Sequence, residues 1–243
     1  MTARPAAPAA PAAGRAPAAR PRRRRLGLVA LLAVFAVAAV VAAGVALHRS
    51  PGQREWVTVF DGTGAAAVAG SGAGTVVTLR PAVTASQGVT HAGLVVSAAS
   101  YRNLSITATV QTVRQLRQGA SGRANPWEVG WVLWHYRGNQ RFYALTLEAR
   151  GWVLSKQDPA YRGGERFLAS GRTPGFAVGV PHHVQITQAG NRITVRADGH
   201  LLTRFTDTQR PYLTGAVGLY SEDSVARFSA IHITPLPAAG QRS

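Results

Sequence analysis

The amino-acid sequence predicts an all-β sandwich, preceded by one transmembrane helix and a disordered N-terminal tail. Three observations support this architecture. Short runs of alternating apolar and polar residues recur after residue 48. Residues 26–47 carry no charge, and residues 1–25 hold almost nothing that a core could bury. The 243 residues suffice for one ordinary domain with its appendages.

Composition excludes several kinds of site. The chain has no cysteine, which excludes disulfides, cysteine-ligated metals and a thiol nucleophile. Its 10 acidic residues are scattered, which excludes EF-hand loops. The 27 basic residues give a formal net charge of +17, and Lys156 is the one lysine among them. Outside the tail the arginines form no cluster and no nucleic-acid-binding motif, so we expect no nucleic acid among the partners.

Residues 1–25 form the expected tail, rich in Ala, Pro and Arg, which ends in the run Arg22 to Arg25. Residues 26–47 follow as 22 uncharged residues, and a helix of that length spans ~33 Å, close to a bilayer core of ~30 Å. The positive-inside rule places the tail in the cytoplasm and the C-terminal domain outside the cell. We therefore expect a single-pass signal anchor in the cell membrane, with cleavage after Ala46 as the alternative.

Residues 48–54 are a predicted linker, 55–236 the sandwich and 237–243 a C-terminal tail. Gly190-Asn191 and Asp198-Gly199 suit tight hairpins because their residues tolerate positive φ. The stretch 61–74 is so rich in Gly and Ala that we expect a surface loop there. The predicted strands are 55–60, 75–80, 92–98, 103–114, 127–136, 141–148, 151–156, 165–170, 183–188, 191–197, 201–206, 215–220 and 226–234.

Two aromatic strands, 127–136 and 141–148, suggest which face of the sheet could bind a ligand. Regular alternation puts their odd-numbered residues on a core face, namely Trp127, Val129, Trp131, Leu133, Tyr143, Leu145 and Leu147. The even-numbered residues, which include Trp134 and Tyr136, form a mixed aromatic and polar face. That composition is typical of neither a plain core nor a solvated surface. Such a face resembles the concave face of a jelly-roll sheet, on which saccharides often lie.

Three segments resemble one family in particular. "VGWVLWHYRGNQRFYALTLE" (129–148), "PHHVQITQAGNRITVRADGHLLTRFTD" (181–207) and "GAVGLYSEDSVARFSAIHITPL" (215–236) are similar to the concanavalin A-like jelly rolls. Within these the chain resembles most the 3-keto-disaccharide hydrolase domain family, which is family-16 glycoside-hydrolase-like, in its membrane-anchored actinobacterial form. The resemblance implies a jelly-roll β-sandwich and a saccharide or glycoconjugate partner. Trp134, Ala144 and Thr146 replace polar residues of the family pattern, which argues against unchanged catalysis.

The candidate site residues are of two kinds. Glu148 and Asp158 are candidate catalytic carboxylates, because glycoside hydrolysis needs two carboxyl groups ~5–9.5 Å apart. The alternative is a surface Glu and a turn-capping Asp. The candidate ligand-binding residues are Trp134, Tyr136, Thr146, Trp152, Lys156 and Tyr161. The aromatic members can stack on sugar rings, and the alternative is that they pack in the core.

The resemblance also implies a structural Ca²⁺ where the first and last strands meet. Asp61, Glu222 and Asp223 are the candidate ligands, and ordinary turns are the alternative. His182 and His183 face opposite sides of a strand and cannot share a metal.

Three functions remain open at this point: a saccharide-binding module, a glycoside hydrolase or 3-keto-glycoside lyase, and an interaction module without a small ligand. The last predicts that segment 61–74 or 158–165 plugs the open face. The oligomeric state is not predicted.

Overall fold

A computed structural model describes residues 55–84, 86, 88–117 and 122–237 of the chain. Fourteen strands within these residues form two antiparallel sheets of seven strands each. The strands are β1 (Trp56–Phe60), β2 (Ala65–Ala69), β3 (Val76–Arg80), β4 (Ala92–Tyr101), β5 (Leu104–Gln115), β6 (Gly130–Tyr136), β7 (Phe142–Glu148), β8 (Gly151–Gln157), β9 (Glu165–Gly171), β10 (His182–Ala189), β11 (Arg192–Ala197), β12 (His200–Thr206), β13 (Gly215–Glu222) and β14 (Ser224–Pro235).

The two sheets face each other as a sandwich. The front sheet has the order β1-β4-β13-β6-β7-β8-β9, and the back sheet has the order β12-β11-β10-β5-β14-β3-β2. All thirteen predicted strands are present, and the prediction of a two-sheet β-sandwich is confirmed. The predicted membrane helix 26–47 lies outside the described residues. Within the described ones no helix is long and apolar enough to cross a bilayer.

The prediction of a loop over 61–74 is wrong. Strand β2 (Ala65–Ala69) lies in this segment and pairs with β3 at the edge of the back sheet, and a 3-10 turn follows at Gly72–Gly74. Backbone hydrogen bonds to Val76–Arg80 hold this edge strand, although its alanines contribute little burial. Composition alone missed it because the ladder depends on the backbone of the partner strand rather than on strand propensity.

A continuous core fills the space between the sheets. Inward-facing residues alternate along β5, where Leu104, Ile106 and Ala108 are completely buried. Val132 and Leu145 meet this core from the front sheet, as register partners on β6 and β7. This alternation is what the period-two pattern predicts for strands with one face on a core.

The face assignment predicted for β7 is confirmed, because Tyr143, Leu145 and Leu147 belong to the core between the sheets, whereas the assignment predicted for β6 is wrong. Trp134 is the register partner of Tyr143, and their rings stack between the sheets at 5.5 Å. Trp131 and Leu133 instead point to the opposite side, which we call the outer face of the front sheet. The register against β13 shifts near His135, whose φ is 48°. The extra residue of this bulge places Tyr136 on the same side as Leu133 and opposite to Trp134.

Candidate functional site

Strand register assembles the outer face of the front sheet from parallel rows of side chains. One row joins Tyr220, Trp131, Thr146 and Val153, which are paired on β13, β6, β7 and β8. Further rows run along the same face. They join Leu133, Ala144, Ser155 and Phe167, and then Phe142, Gln157 and Glu165. Aromatic residues therefore concentrate on β13, β6 and β7, and polar residues on β8 and β9.

The outer face extends from β13 to β9. These two strands are four strand intervals apart in the sheet, which is ~19 Å if the sheet is flat. Burial raises the pKa of Tyr220 well above its usual value, and the charges of Glu222, Asp223 and Glu165 raise it further.

Aromatic side chains fill one half of the outer face. The rings of Trp131 and Tyr220 lie 5.1 Å apart, Phe60 packs on Tyr220 at 6.4 Å, and Tyr136 stacks on Phe142 at 6.0 Å. The cavity left among them has a volume of ≈ 10 Å³, about that of a single water site. A sugar ring does not fit there. Side chains fill this half, and segments 61–74 and 158–165 do not line the cavity.

The other half is open at the edge of the sheet. Phe167 on β9 is 67% exposed, whereas Ser155 and Glu165 beside it on the same face are buried and half-buried. Glu165 lies beside it, and burial raises the pKa of this carboxyl while the Ser155 hydroxyl lowers it. Gln157, the register partner of Glu165, is 9% exposed, and its side-chain amide has no hydrogen-bond partner among the described residues. We name Ser155, Gln157, Glu165 and Phe167 the β8–β9 patch.

Three of the six predicted ligand-binding residues point into the sandwich. Trp134 is fully buried, and its indole nitrogen donates to Gln188 Oε1 at 2.7 Å. Trp152 is 6% exposed and belongs to the same core. Lys156 is completely buried. None of the three is accessible to a ligand on the outer face, because the strands that carry them turn these side chains toward the back sheet.

The side chain of Lys156 makes structural contacts inside the sandwich instead. Its ammonium donates to Asp207 Oδ2 at 2.7 Å and to the carbonyl oxygens of Gln209 and Arg210 at 2.8 and 2.7 Å. These three bonds satisfy all three of its donors. Tyr143 also donates to Asp207 Oδ2, at 2.6 Å. The network ties β7 and β8 of the front sheet to the segment that follows β12.

The remaining predicted ligand-binding residues lie on or near the outer face. Tyr136 is half-buried and donates to Asn139 Oδ1 at 2.7 Å. Thr146 lies on the outer face but is 4% exposed. Tyr161 is 48% exposed in the loop before β9, with the Arg166 guanidinium 5.7 Å from its ring. Sequence analysis missed Phe167 and Glu165. The sequence signal that could have indicated them is the alternation of a carboxylate and an apolar residue along the predicted strand 165–170, which lies at the edge of the sheet.

The two candidate catalytic carboxylates lie at opposite ends of strand β8. Glu148 is paired with Gly151 at the start of β8, and Asp158 follows Gln157 at its end. At ~3.3 Å per residue their backbones are about 20 Å apart, beyond the ~9.5 Å that a hydrolytic pair allows. Asp158 is 3% exposed and accepts from Arg210 Nη2 at 2.9 Å. Burial raises the pKa of Glu148, whose carboxylate faces Thr146.

The predicted calcium ligands make other contacts. Asp61 caps its own turn by accepting from the Thr63 amide at 3.0 Å. Asp223 Oδ2 accepts from Arg117 at 2.5 Å, and Glu222 Oε2 accepts from the Tyr220 hydroxyl at 2.8 Å. Among the described residues no group of three or more His, Asp or Glu side chains is placed to hold a metal ion.

A second concave region lies at an open edge of the sandwich. Its volume is ≈ 450 Å³, and it lies between β4 and the second half of β14. Trp56 and Tyr101 contribute aromatic surface, while Ser97 and Ile231 line it close to the strand edges. The Ser97 hydroxyl is already occupied, because it donates to the Ala99 carbonyl oxygen and accepts from the Val217 amide.

Two solved structures share this architecture. One is the carbohydrate-binding module CBM66 from Bacillus subtilis, 16% identical, covering 74% of this chain and 94% of its own, with a TM-score of 0.52. The other is a Bacillus subtilis protein of unknown function with a galectin-like fold, 12% identical, covering 79% and 94%, with a TM-score of 0.50. At these identities the likeness shows the fold alone.

No family model matches the sequence, and no curated protein matches it either. The resemblance to the 3-keto-disaccharide hydrolase domain family therefore stays a prediction.

Proposed function

We propose that the chain is a membrane-anchored surface protein whose sandwich binds a saccharide or glycoconjugate at the β8–β9 patch. The observation that carries this proposal is the exposure of Phe167, which is 67% accessible on the outer face. Exposed aromatic side chains with polar neighbours are typical of ligand-binding surfaces. The nearby carboxyl of Glu165 and amide of Gln157 offer hydrogen bonds to sugar hydroxyl groups.

The chemistry of the patch suits a sugar ring. A pyranose presents C–H groups on one face, which pack on an aromatic ring, and hydroxyl groups at its edge, which need donors and acceptors. Phe167 supplies the apolar surface, and Ser155, Gln157 and Glu165 supply the polar groups. The likeness in fold to a carbohydrate-binding module supports this proposal.

The proposal includes the location of the domain. Residues 26–47 anchor the chain in the cell membrane, and the arginines of residues 1–25 remain in the cytoplasm. The sandwich is then outside the cell, where glycans of the envelope or of a host are its expected partners.

We prefer saccharide binding to glycoside hydrolysis as the function, because the two candidate catalytic carboxylates do not lie close together. Glu148 and Asp158 lie about 20 Å apart along β8, and Asp158 is already paired with Arg210. The β8–β9 patch itself contains one carboxyl group, Glu165, whereas glycoside hydrolysis needs two.

Replacement of Phe167 by Ala tests the site. We expect the variant to lose roughly tenfold in affinity for the saccharides that the unchanged chain binds, because one aromatic packing surface is removed. The measurement is binding of the full-length protein in detergent micelles to a panel of immobilised oligosaccharides. Circular dichroism checks that the fold is retained.

Leu201→Ala is the matched control, since Leu201 is 40% exposed on strand β12 of the back sheet. This variant should bind like the unchanged chain. Equal affinity of the Phe167 variant and the unchanged chain would remove the site from the β8–β9 patch. Absence of binding to every saccharide would contradict the proposed function itself.

A further inference from the structure

We infer that the β8–β9 patch selects saccharides that carry a protonated amino group, with Glu165 as the counter-charge. The inference rests on the proposed function and names the class of ligand that the patch prefers. This preference is opposite to the one that the net charge of the chain predicts, because a charge of +17 favours acidic polymers at long range.

The buried carboxylates of the described residues are mostly paired with basic side chains. Four buried carboxylates lie within 4.0 Å of a basic side chain: Glu128, Asp158, Asp207 and Asp223. Glu165 and Glu148, which are half-buried on the outer face, have no such partner among the described residues. A chain with 27 basic residues thus leaves Glu165 and Glu148 without a close basic side chain among the described residues, as it does the buried Glu222, which accepts from the Tyr220 hydroxyl instead.

The immediate surroundings of Glu165 contain no basic group that shifts its pKa. Burial and the Ser155 hydroxyl are the influences on its pKa, and no basic group is among them. Arg166 is adjacent in sequence but points to the other side of β9, where its Nη1 atom lies 4.0 Å from Asp207 Oδ1. A ligand therefore meets Glu165 without competition from a cation of the protein.

The side-chain amide of Gln157 lies next to Glu165 on the outer face. Gln157 is 9% exposed and lies opposite Glu165 in the β8–β9 register, with Nε2 beside Gly164. Its side chain makes no hydrogen bond within the described part of the chain. Its amide nitrogen and oxygen are therefore free to donate to and accept from a ligand that occupies the patch.

An ammonium group fits these three features together. It gains a charge-assisted bond to Glu165, and it can donate a second bond to the Gln157 carbonyl oxygen. Phe167 adds an aromatic face, which attracts a nearby cation. A carboxylate or phosphate group in the same place would instead face the unneutralised charge of Glu165.

Titration calorimetry of the full-length protein in micelles tests this with three trisaccharides. They are the trimers of glucosamine, of N-acetylglucosamine and of galacturonic acid. We expect the glucosamine trimer to bind roughly five- to tenfold more tightly than the acetylated trimer, and the acidic trimer to bind most weakly. Added salt should weaken binding of the glucosamine trimer and leave the acetylated trimer unchanged.

Glu165→Gln should remove the preference by weakening the glucosamine trimer to the level of the acetylated one. Glu148→Gln is the matched control, because this carboxylate lies on the same face about 20 Å away along β8. The control should keep the preference.

Two outcomes separate this inference from the proposed function. Equal binding of the amino and acetylated trimers, or an unchanged preference in Glu165→Gln, would overturn the inference and leave Phe167-dependent binding standing. Binding of amine-free members of the panel in a Phe167-dependent way, with no binding of the glucosamine trimer, would overturn it as well. Failure of every saccharide to bind would remove both.

Discussion

The residue Lys156 shows how a side chain that suits a sugar hydroxyl can serve the core instead. It lies on the same face of β8 as Trp152 and Leu154, so its side chain points into the sandwich. The buried charge is tolerated because the ammonium donates hydrogen bonds to Asp207 and to two carbonyl oxygens. Burial raises the pKa of Asp207, but the bonds from Lys156 and Tyr143 outweigh this and hold it below its usual value. The carboxylate is thus kept ionised in the interior.

Lys156→Met should destabilise the fold by about 3–5 kcal/mol, because it leaves the carboxylate of Asp207 buried without its cation. Urea unfolding followed by tryptophan fluorescence measures the change. Asp198→Asn is the control, since Asp198 forms an exposed ion pair with His182 at 2.8 Å. Such pairs contribute ~1 kcal/mol or less. If Lys156→Met lowers the free energy of unfolding no more than the control does, the hydrogen-bond network around Lys156 does not stabilise the fold.

At the scale of strands, alternation predicted the existence of the elements better than the direction of their faces. Strand β6 carries large apolar side chains on both faces, so its hydrophobic pattern alone does not say which face meets the second sheet, whereas the core face of β7 was predicted correctly. The bulge near His135 then reverses the parity between Trp134 and Tyr136. For that reason some candidate ligand-binding residues point into the core and others lie on the outer face. Phe167 was missed because the position of its strand at the edge of the sheet follows from the assembled sheet and not from the local sequence.

The β13–β14 hairpin should make the stability of the fold depend on pH between about 4.5 and 7. Burial, followed by the charges of Asp223 and Glu128, raises the pKa of Glu222 to about 7, although the hydrogen bond from Tyr220 lowers it. The folded state therefore favours the protonated form more than the unfolded state does. This contribution is fully present below pH ~4.5 and is lost as the pH rises through 7, by roughly 3 kcal/mol.

Unfolding free energies measured between pH 5 and pH 8.5 check this prediction. Glu222→Gln should flatten the profile in that range, because a neutral amide has no proton to lose. A variant profile as steep as that of the unchanged chain would place the titrating group elsewhere. Asp61→Asn is the control, since Asp61 is exposed in a turn and should leave the slope as it is.

At the scale of the whole molecule, charge and fold divide the chain into parts with different partners. Seven of the 27 basic residues lie in residues 1–25, next to the uncharged segment 26–47. The β8–β9 patch, in contrast, displays an unpaired carboxyl group in a domain with a basic surface. An anchor that retains the cationic tail on one side of a membrane would leave the patch free to meet glycans on the other.

Protease treatment of intact bacterial cells that express the full chain tests this arrangement. We expect the sandwich to be cleaved from outside, while an epitope attached to the N-terminus stays protected until the cells are lysed. A variant with Arg22 to Arg25 changed to Glu should insert less faithfully, because the charge difference across the segment 26–47 is reduced. Arg102→Glu, on the sandwich, is the control and should not change the orientation.

Protection of the sandwich in intact cells would place it in the cytoplasm and contradict the proposed location. Release of the domain without protease, in a form that begins after Ala46, would show instead that the hydrophobic segment is a cleaved signal.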